Sequence, residues 1–119
     1  MPSFVPEKRT KIVCVGDSIT QGYRFYDTNL SYPSVLSDRL DPKRYEIVNL
    51  GLSRRTMTKT GDYPYWNEDK FIEALQSNAD IIVLMLGTND SKSYNWNEDS
   101  FKTDYLSMIA AFQNMPSSP

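Results

Sequence analysis

Three stretches of this sequence hold residue types that together could carry out acyl transfer: Gly16-Asp17-Ser18, Gly51, and Gly87-Thr88-Asn89-Asp90. That chemistry needs a nucleophile, and hydrogen-bond donors aimed at the charge developing on the carbonyl oxygen. Ser18 offers both a hydroxyl and its own backbone N–H. Gly51 offers an N–H that a missing side chain allows to come close, and Asn89 offers a side-chain amide. Losing one such donor typically costs ~3 kcal/mol of transition-state stabilisation. Asp17 and Asp90 stand beside these groups as supporting candidates. A serine also needs a base, most often histidine, and the chain contains no histidine. Taken singly, each stretch is ordinary turn chemistry; the weight lies in all three occurring, in order, at equivalent places.

Those places are the ends of strands. "KIVCVG" is short, β-branched and closed by Gly16, so the pattern predicts a buried strand. "YEIVNLG" predicts a second strand ending at Gly51, and "DIIVLMLG" a third ending at Gly87. The third is apolar throughout Ile81 to Leu86, as expected where helices cover both faces. Between them lie helical patterns. Tyr32, Val35, Leu36 and Leu40 form one, stopped by Asp41-Pro42. "NEDKFIEALQS" forms another, with Asn67 as N-cap and Phe71, Ile72 and Leu75 as its stripe. Phe101, Tyr105, Met108, Ile109 and Phe112 mark a last, amphipathic helix. The order β-α-β-α-β-α predicts a parallel sheet with helices on both faces, whose ligands bind beyond the C-terminal strand ends.

Length and composition fit one globular domain, with residues 1–9 as a loose lead-in and 10–119 as the domain. The net charge of -2 gives no positive field for nucleic acid. No segment is long enough to span a bilayer, and the lead-in has no apolar core of signal-peptide length, which predicts a cytoplasmic location. The single Cys14 lies inside an apolar run and is read as a buried structural thiol. Gly16 to Gly22 lacks the Lys-Ser/Thr ending of a phosphate loop, and no G-x-G-x-x-G or G-x-S-x-G is present. Without histidine, no metal site is expected, and no cofactor is expected.

"GDSITQG", the glycine of "NLGLS" and "LGTND" resemble the first three sequence blocks of the SGNH, or GDSL-type, hydrolase family. The blocks are 33 and 38 residues apart, counted from Ser18 to Gly51 and from Gly51 to Asn89. The resemblance implies a flavodoxin-like three-layer α/β/α sandwich, here with about three βα units. It implies Ser18 as nucleophile, with Gly51 and Asn89 completing the oxyanion hole, and an ester or thioester as substrate. Two departures stand out. Arg54-Arg55 occupies a stretch of the second block where such proteins often carry a small residue. The fourth block, Asp-x-x-His, which supplies the base and its orienting carboxylate, does not occur.

The chain is therefore expected to be incomplete. A sheet ending at the third strand would expose an edge apolar on both faces, which natural sheets avoid, so pairing with another strand or chain along residues 81–86 is expected. Eight of the 15 aromatic residues fall in the strand-end loops: Tyr23, Phe25, Tyr26, Tyr63, Tyr65, Trp66, Tyr94 and Trp96. They can stack on sugar faces or plug the loops onto the domain. Tyr65, Trp66 and Trp96 are the candidates for substrate contact. "KTGDYPYW" and "LGTNDSKSYNW" further resemble sialate or carbohydrate O-acetylesterase members, which implies a short acyl group, such as acetyl on a sugar. The competing expectation is a small-ligand-binding module on the same fold with a decayed site, as the absent histidine would suit.

Overall fold

The computed structural model describes residues 8–22 and 30–119. Tyr23, Phe25, Tyr26 and most of the lead-in lie outside the described residues. The order is β1 (Thr10–Gly16), α1 (Ser18–Gln21), α2 (Tyr32–Arg39), β2 (Tyr45–Gly51), a 3-10 turn (Tyr65–Asn67), α3 (Asp69–Leu75), β3 (Ile81–Met85) and α4 (Glu98–Gln113). The three strands form one parallel sheet in the order β2-β1-β3, with Gly16 in register with Gly51 on one side and Met85 on the other.

β1 is central, and its sequence shows why. Val13 and Val15 enter a core with Leu50, Met57, Tyr65, Phe71, Met108 and Phe112, while Ile12 and Cys14, which alternate with them, are buried as well. A strand buried on both faces has no polar side chain to place, hence the unbroken apolar run. Burial also pushes the Cys14 thiol up from its ordinary value, as befits a structural thiol. α4 starts where its sequence predicts: the Asn97 side chain accepts from the Ser100 N–H at 3.0 Å. Met108 and Phe112 are its buried anchors, whereas Ile109 is exposed.

Two expectations are corrected. Asn67 does not cap α3; its N–H closes the 3-10 turn onto the Pro64 carbonyl at 3.2 Å, and α3 begins two residues later with Ile72 exposed. β3 is not covered on both sides among the described residues. Ile81 is 45% and Met85 39% exposed, because β3 is the outer strand of this sheet. Among the described residues no helix is long and apolar enough to cross a membrane.

Candidate active site

Ser18 is the first residue of α1, two residues beyond the end of β1. The turn that delivers it is held by Asp17, whose carboxylate accepts from the Ile19 N–H at 3.0 Å. Asp17 is almost wholly buried, and burial raises its carboxyl above the ordinary value. The nearby Asp90 carboxylate adds to the rise, and the Ile19 N–H opposes it. Ser18 itself is half-buried, and its hydroxyl and N–H have no hydrogen-bond partner among the described residues.

β2 is locked to that helix by contacts absent from the sequence-based picture. The Asn49 amide donates to the Thr20 carbonyl at 2.9 Å, and its Oδ1 accepts the Gly51 N–H at 2.9 Å. The Ser53 N–H donates to Gln21 Oε1 at 2.7 Å. A Cβ on Gly51 would collide with the Gln21 nitrogen and lie 2.8 Å from the Thr20 carbonyl carbon. Glycine is thus required here for close approach of two backbones. The same geometry corrects the expectation for its N–H: that group is committed to Asn49 and is not a free donor.

The loop then turns at Arg54, whose φ of 69° lies in the left-handed region. The next residue reaches the third stretch, because Asn89 Nδ2 donates to the Arg55 carbonyl at 3.1 Å. One short loop is therefore tied at Ser53 to the serine helix and at Arg55 to Asn89. One proton of the Asn89 amide is used in that tie. Asp90, fully buried, holds the following residues by accepting the Met57 and Thr58 N–H groups, each at 2.8 Å. Asn95 fastens the far side: its amide donates to the Asn89 carbonyl at 2.9 Å and to Asp62 at 3.0 Å.

The aromatic candidates separate by burial. Tyr65 is 0% exposed and donates its hydroxyl to the Leu50 carbonyl at 2.6 Å, so it is core and not a substrate contact. Trp66 donates Nε1 to the Met57 carbonyl at 2.8 Å and packs edge-on against Phe71, a plug in the same loop. Trp96 is half exposed and leans on Phe101 at a centroid distance of 5.3 Å, one residue from the Asn95 that grips Asn89. Asn49, Gln21 and Asn95 went unnoticed in the sequence, where an amide inside "NLG" or a Tyr-rich loop reads as solvated. Among the described residues no group of three or more carboxylate or thiol side chains could hold a metal ion.

The profile of the GDSL-like Lipase/Acylhydrolase family matches residues 14–119. An acetylxylan esterase of Xylanibacter ruminicola is 39% identical over 109 residues, covering 90% of this chain and 22% of that protein. Among solved structures, the inhibitor-bound M. smegmatis aryl esterase superposes with a TM-score of 0.73 at 20% identity, over 92% of this chain and 57% of that one. A carbohydrate acetylesterase from Sinorhizobium meliloti superposes with a TM-score of 0.71 at 21% identity, over 93% of this chain and 57% of that one. At those identities the superpositions speak for the fold alone. The chain spans under a quarter of the curated relative and a little over half of each solved structure.

Proposed function

The chain belongs to the GDSL-like lipase/acylhydrolase family, and from that premise we propose that it is the nucleophile-bearing part of a serine esterase acting on a short acyl ester, acetyl on a carbohydrate being the favoured case. Ser18 Oγ attacks the ester carbonyl and takes the acyl group while the sugar alcohol leaves with a proton, and water then releases the acid and restores the hydroxyl. The oxyanion is met by the Ser18 N–H, by the second proton of the Asn89 amide, and by the Arg54 N–H. Arg54 takes the place first given to Gly51, whose N–H is bound to Asn49. Arg54 lies between the two ties that join the loop to α1 and to Asn89, and its N–H has no acceptor among the described residues.

The observation that carries this proposal is the double tie itself. It supports bringing groups from three strand ends into one place, which a set of unrelated turns would not require. Asp17 and Asp90 act as positioning residues, the first on the serine turn and the second on the loop. Of Tyr65, Trp66 and Trp96, Trp96 is the one exposed enough to face a sugar, and its kinship argument is the acetylxylan esterase name of the relative. An imidazole base for Ser18 has to come from outside these 119 residues, since they include no histidine.

The test is covalent labelling by a fluorophosphonate probe, read by intact mass and peptide mapping, in a longer protein that adds an Asp-x-x-His segment to this sequence, because a serine without a base reacts poorly with the probe. Labelling confined to Ser18, and abolished in Ser18→Ala, is expected there. An unlabelled Ser18 in that folded protein favours the binding module instead.

A further inference from the structure

Asn89 is held from two sides, and only one of them is the loop after β2. Its amide donates to the Arg55 carbonyl at 3.1 Å, and its own carbonyl accepts from Asn95 Nδ2 at 2.9 Å. Among the described residues that carbonyl has one other contact, the Lys92 N–H at 3.4 Å, which is beyond the usual hydrogen-bond range. Asn95 is therefore the group that fixes the Asn89 peptide. The Asn95 side chain is 6% exposed and makes three of the four hydrogen bonds an amide can make. Besides the bond to Asn89, Nδ2 donates to Asp62 Oδ1 at 3.0 Å, and Oδ1 accepts the Asp62 N–H at 3.0 Å. The side chain also leaves from a fixed base, since the Asn95 and Trp96 N–H groups both donate to the Lys92 carbonyl, at 2.9 and 3.0 Å.

These bonds do two separable things. The reciprocal pair with Asp62 joins the loop after β3 to the loop after β2. The bond to Asn89 acts on the backbone of the residue that offers the oxyanion its amide. A carboxylate at position 95 could still accept from the Asp62 N–H, but it has no proton to give to the Asn89 carbonyl. The second bond matters because Asn89 has one amide proton left after the tie to Arg55. The direction of that proton follows from the amide plane, which is held by the Arg55 carbonyl at one end and by the Asn89 backbone at the other. With the backbone released, the amide can swing about its remaining tie. A misplacement of about 1 Å at such a group can cost ~10²-fold in rate.

We propose that Asn95 is a positioning residue for ester hydrolysis that acts through Asn89. It touches no reacting atom; it holds the Asn89 peptide so that the free amide proton meets the oxyanion. This rests on the reading of Ser18 and Asn89 as parts of the ester site.

The experiment uses a longer protein that adds an Asp-x-x-His segment to this sequence, with kcat and KM for p-nitrophenyl acetate and stability in urea measured on the same samples. Asp62→Ala cuts the pair and spares the bond to Asn89, so stability should fall while kcat stays near that of the parent. Asn95→Asp should lower kcat ~10²-fold with KM little changed, and should lower stability as well, because two carboxylates then face each other. The decisive variant is the exchange, Asn95→Asp with Asp62→Asn. It restores a donor and an acceptor to the pair but returns no proton to the Asn89 carbonyl. Its stability should recover towards the parent while its kcat stays as low as in Asn95→Asp. Placed on Asn89→Ala, the exchange should cost no further rate, since two residues acting as one unit are not additive. An exchange variant that recovers kcat together with stability overturns the proposal and leaves Asn95 a link between loops. So does a further loss of rate on top of Asn89→Ala, or an exchange variant less stable than Asn95→Asp. Asn89→Ala with the parent's kcat refutes the ester-site reading itself, whereas a slow Asn89→Ala beside a parent-like exchange refutes only the role of Asn95.

Discussion

Asn89 donates its side-chain amide to the carbonyl oxygen of Arg55 across 34 residues of sequence. That bond joins the loop after β3 to the loop after β2, and the latter is already tied to α1 through Ser53 and Gln21. The three strand ends are thus held by side chains to one another, beyond what the sheet supplies. Each tie predicts the result of cutting it.

Asp90 carries the deepest of these ties. Replacing it by Ala leaves two buried N–H groups, those of Met57 and Thr58, without an acceptor, each worth ~1–3 kcal/mol. Asp90→Ala should lower unfolding free energy in urea by about 3 kcal/mol or more, and speed amide exchange at Met57 and Thr58 first. Asp90→Asn keeps one acceptor and should lose less. Parent-like stability in Asp90→Ala would show that the carboxylate holds nothing.

Much of this was legible beforehand, and the rest has physical reasons for being hidden. Strand ends at Gly16 and Gly51 follow from β-branched runs stopped by glycine, and the parallel direction of the sheet from β-α-β alternation. The parts that escaped depend on contacts far apart in sequence. Asn49 looks like a turn residue until Thr20, 29 positions earlier, is brought to its amide. Gly51 signals close approach correctly, but whether its N–H is free depends on the rotamer of Asn49. Tyr65 and Trp66 share a Tyr-rich loop with no periodicity to separate a core ring from an exposed one. β3 reads as a doubly covered strand from composition alone, whereas coverage depends on which strands and helices flank it.

Gly51 itself gives a steric prediction. In Gly51→Ala the new methyl meets the backbone of Thr20 and Gln21, not a flexible side chain, so the helix bearing Ser18 must move. Overpacking of this kind typically costs 1–3 kcal/mol. Urea denaturation should register that loss. In a longer protein that adds an Asp-x-x-His segment, fluorophosphonate labelling of Ser18 should slow in parallel, under conditions where the variant is still fully folded. A variant with unchanged stability and labelling would mean that α1 and β2 are not in contact there.

Asp17 gives a prediction in pH. Burial, with the Asp90 carboxylate adding to it, raises the folded-state pKa of Asp17 above its ordinary 3.8. Between that value and the raised one, the folded chain binds more protons than the unfolded chain. Stability from this group is therefore fully present below 3.8 and is lost as pH rises through the window. Asp17→Asn keeps an oxygen to accept from Ile19 and removes the buried charge. The variant should be more stable than the parent at neutral pH, with the difference closing as pH falls below the window. A difference independent of pH would remove the buried-charge explanation.

The exposed edge of β3 predicts association. Ile81 and Met85 stand open on a strand whose outer N–H and C=O groups have no partner strand among the described residues. Sedimentation of the 119 residues should show concentration-dependent self-association, with slow amide exchange along residues 81–85. Met85→Lys, which places a charge on the edge, should shift the chain towards monomer. A monodisperse monomer with fast exchange along β3 would show that the edge tolerates water.

The last prediction concerns turnover. Nucleophile and donors without an imidazole should leave the 119 residues nearly inert towards p-nitrophenyl acetate. Loss of the histidine of a serine triad costs up to ~10⁶-fold, and what remains comes from the oxyanion donors and binding. A longer protein that adds an Asp-x-x-His segment to this sequence should recover the rate. The role proposed for the Asn89 amide, on the oxyanion and not on the base, predicts that it matters in both. Asn89→Ala should cost ~10²–10³-fold in kcat of the longer protein, with urea stability measured alongside to account for the lost tie to Arg55. Ser18→Ala should abolish turnover in the longer protein altogether. Equal rates in the short and long proteins would place the base within these 119 residues. A rate that survives Ser18→Ala would reduce Ser18 to a turn residue.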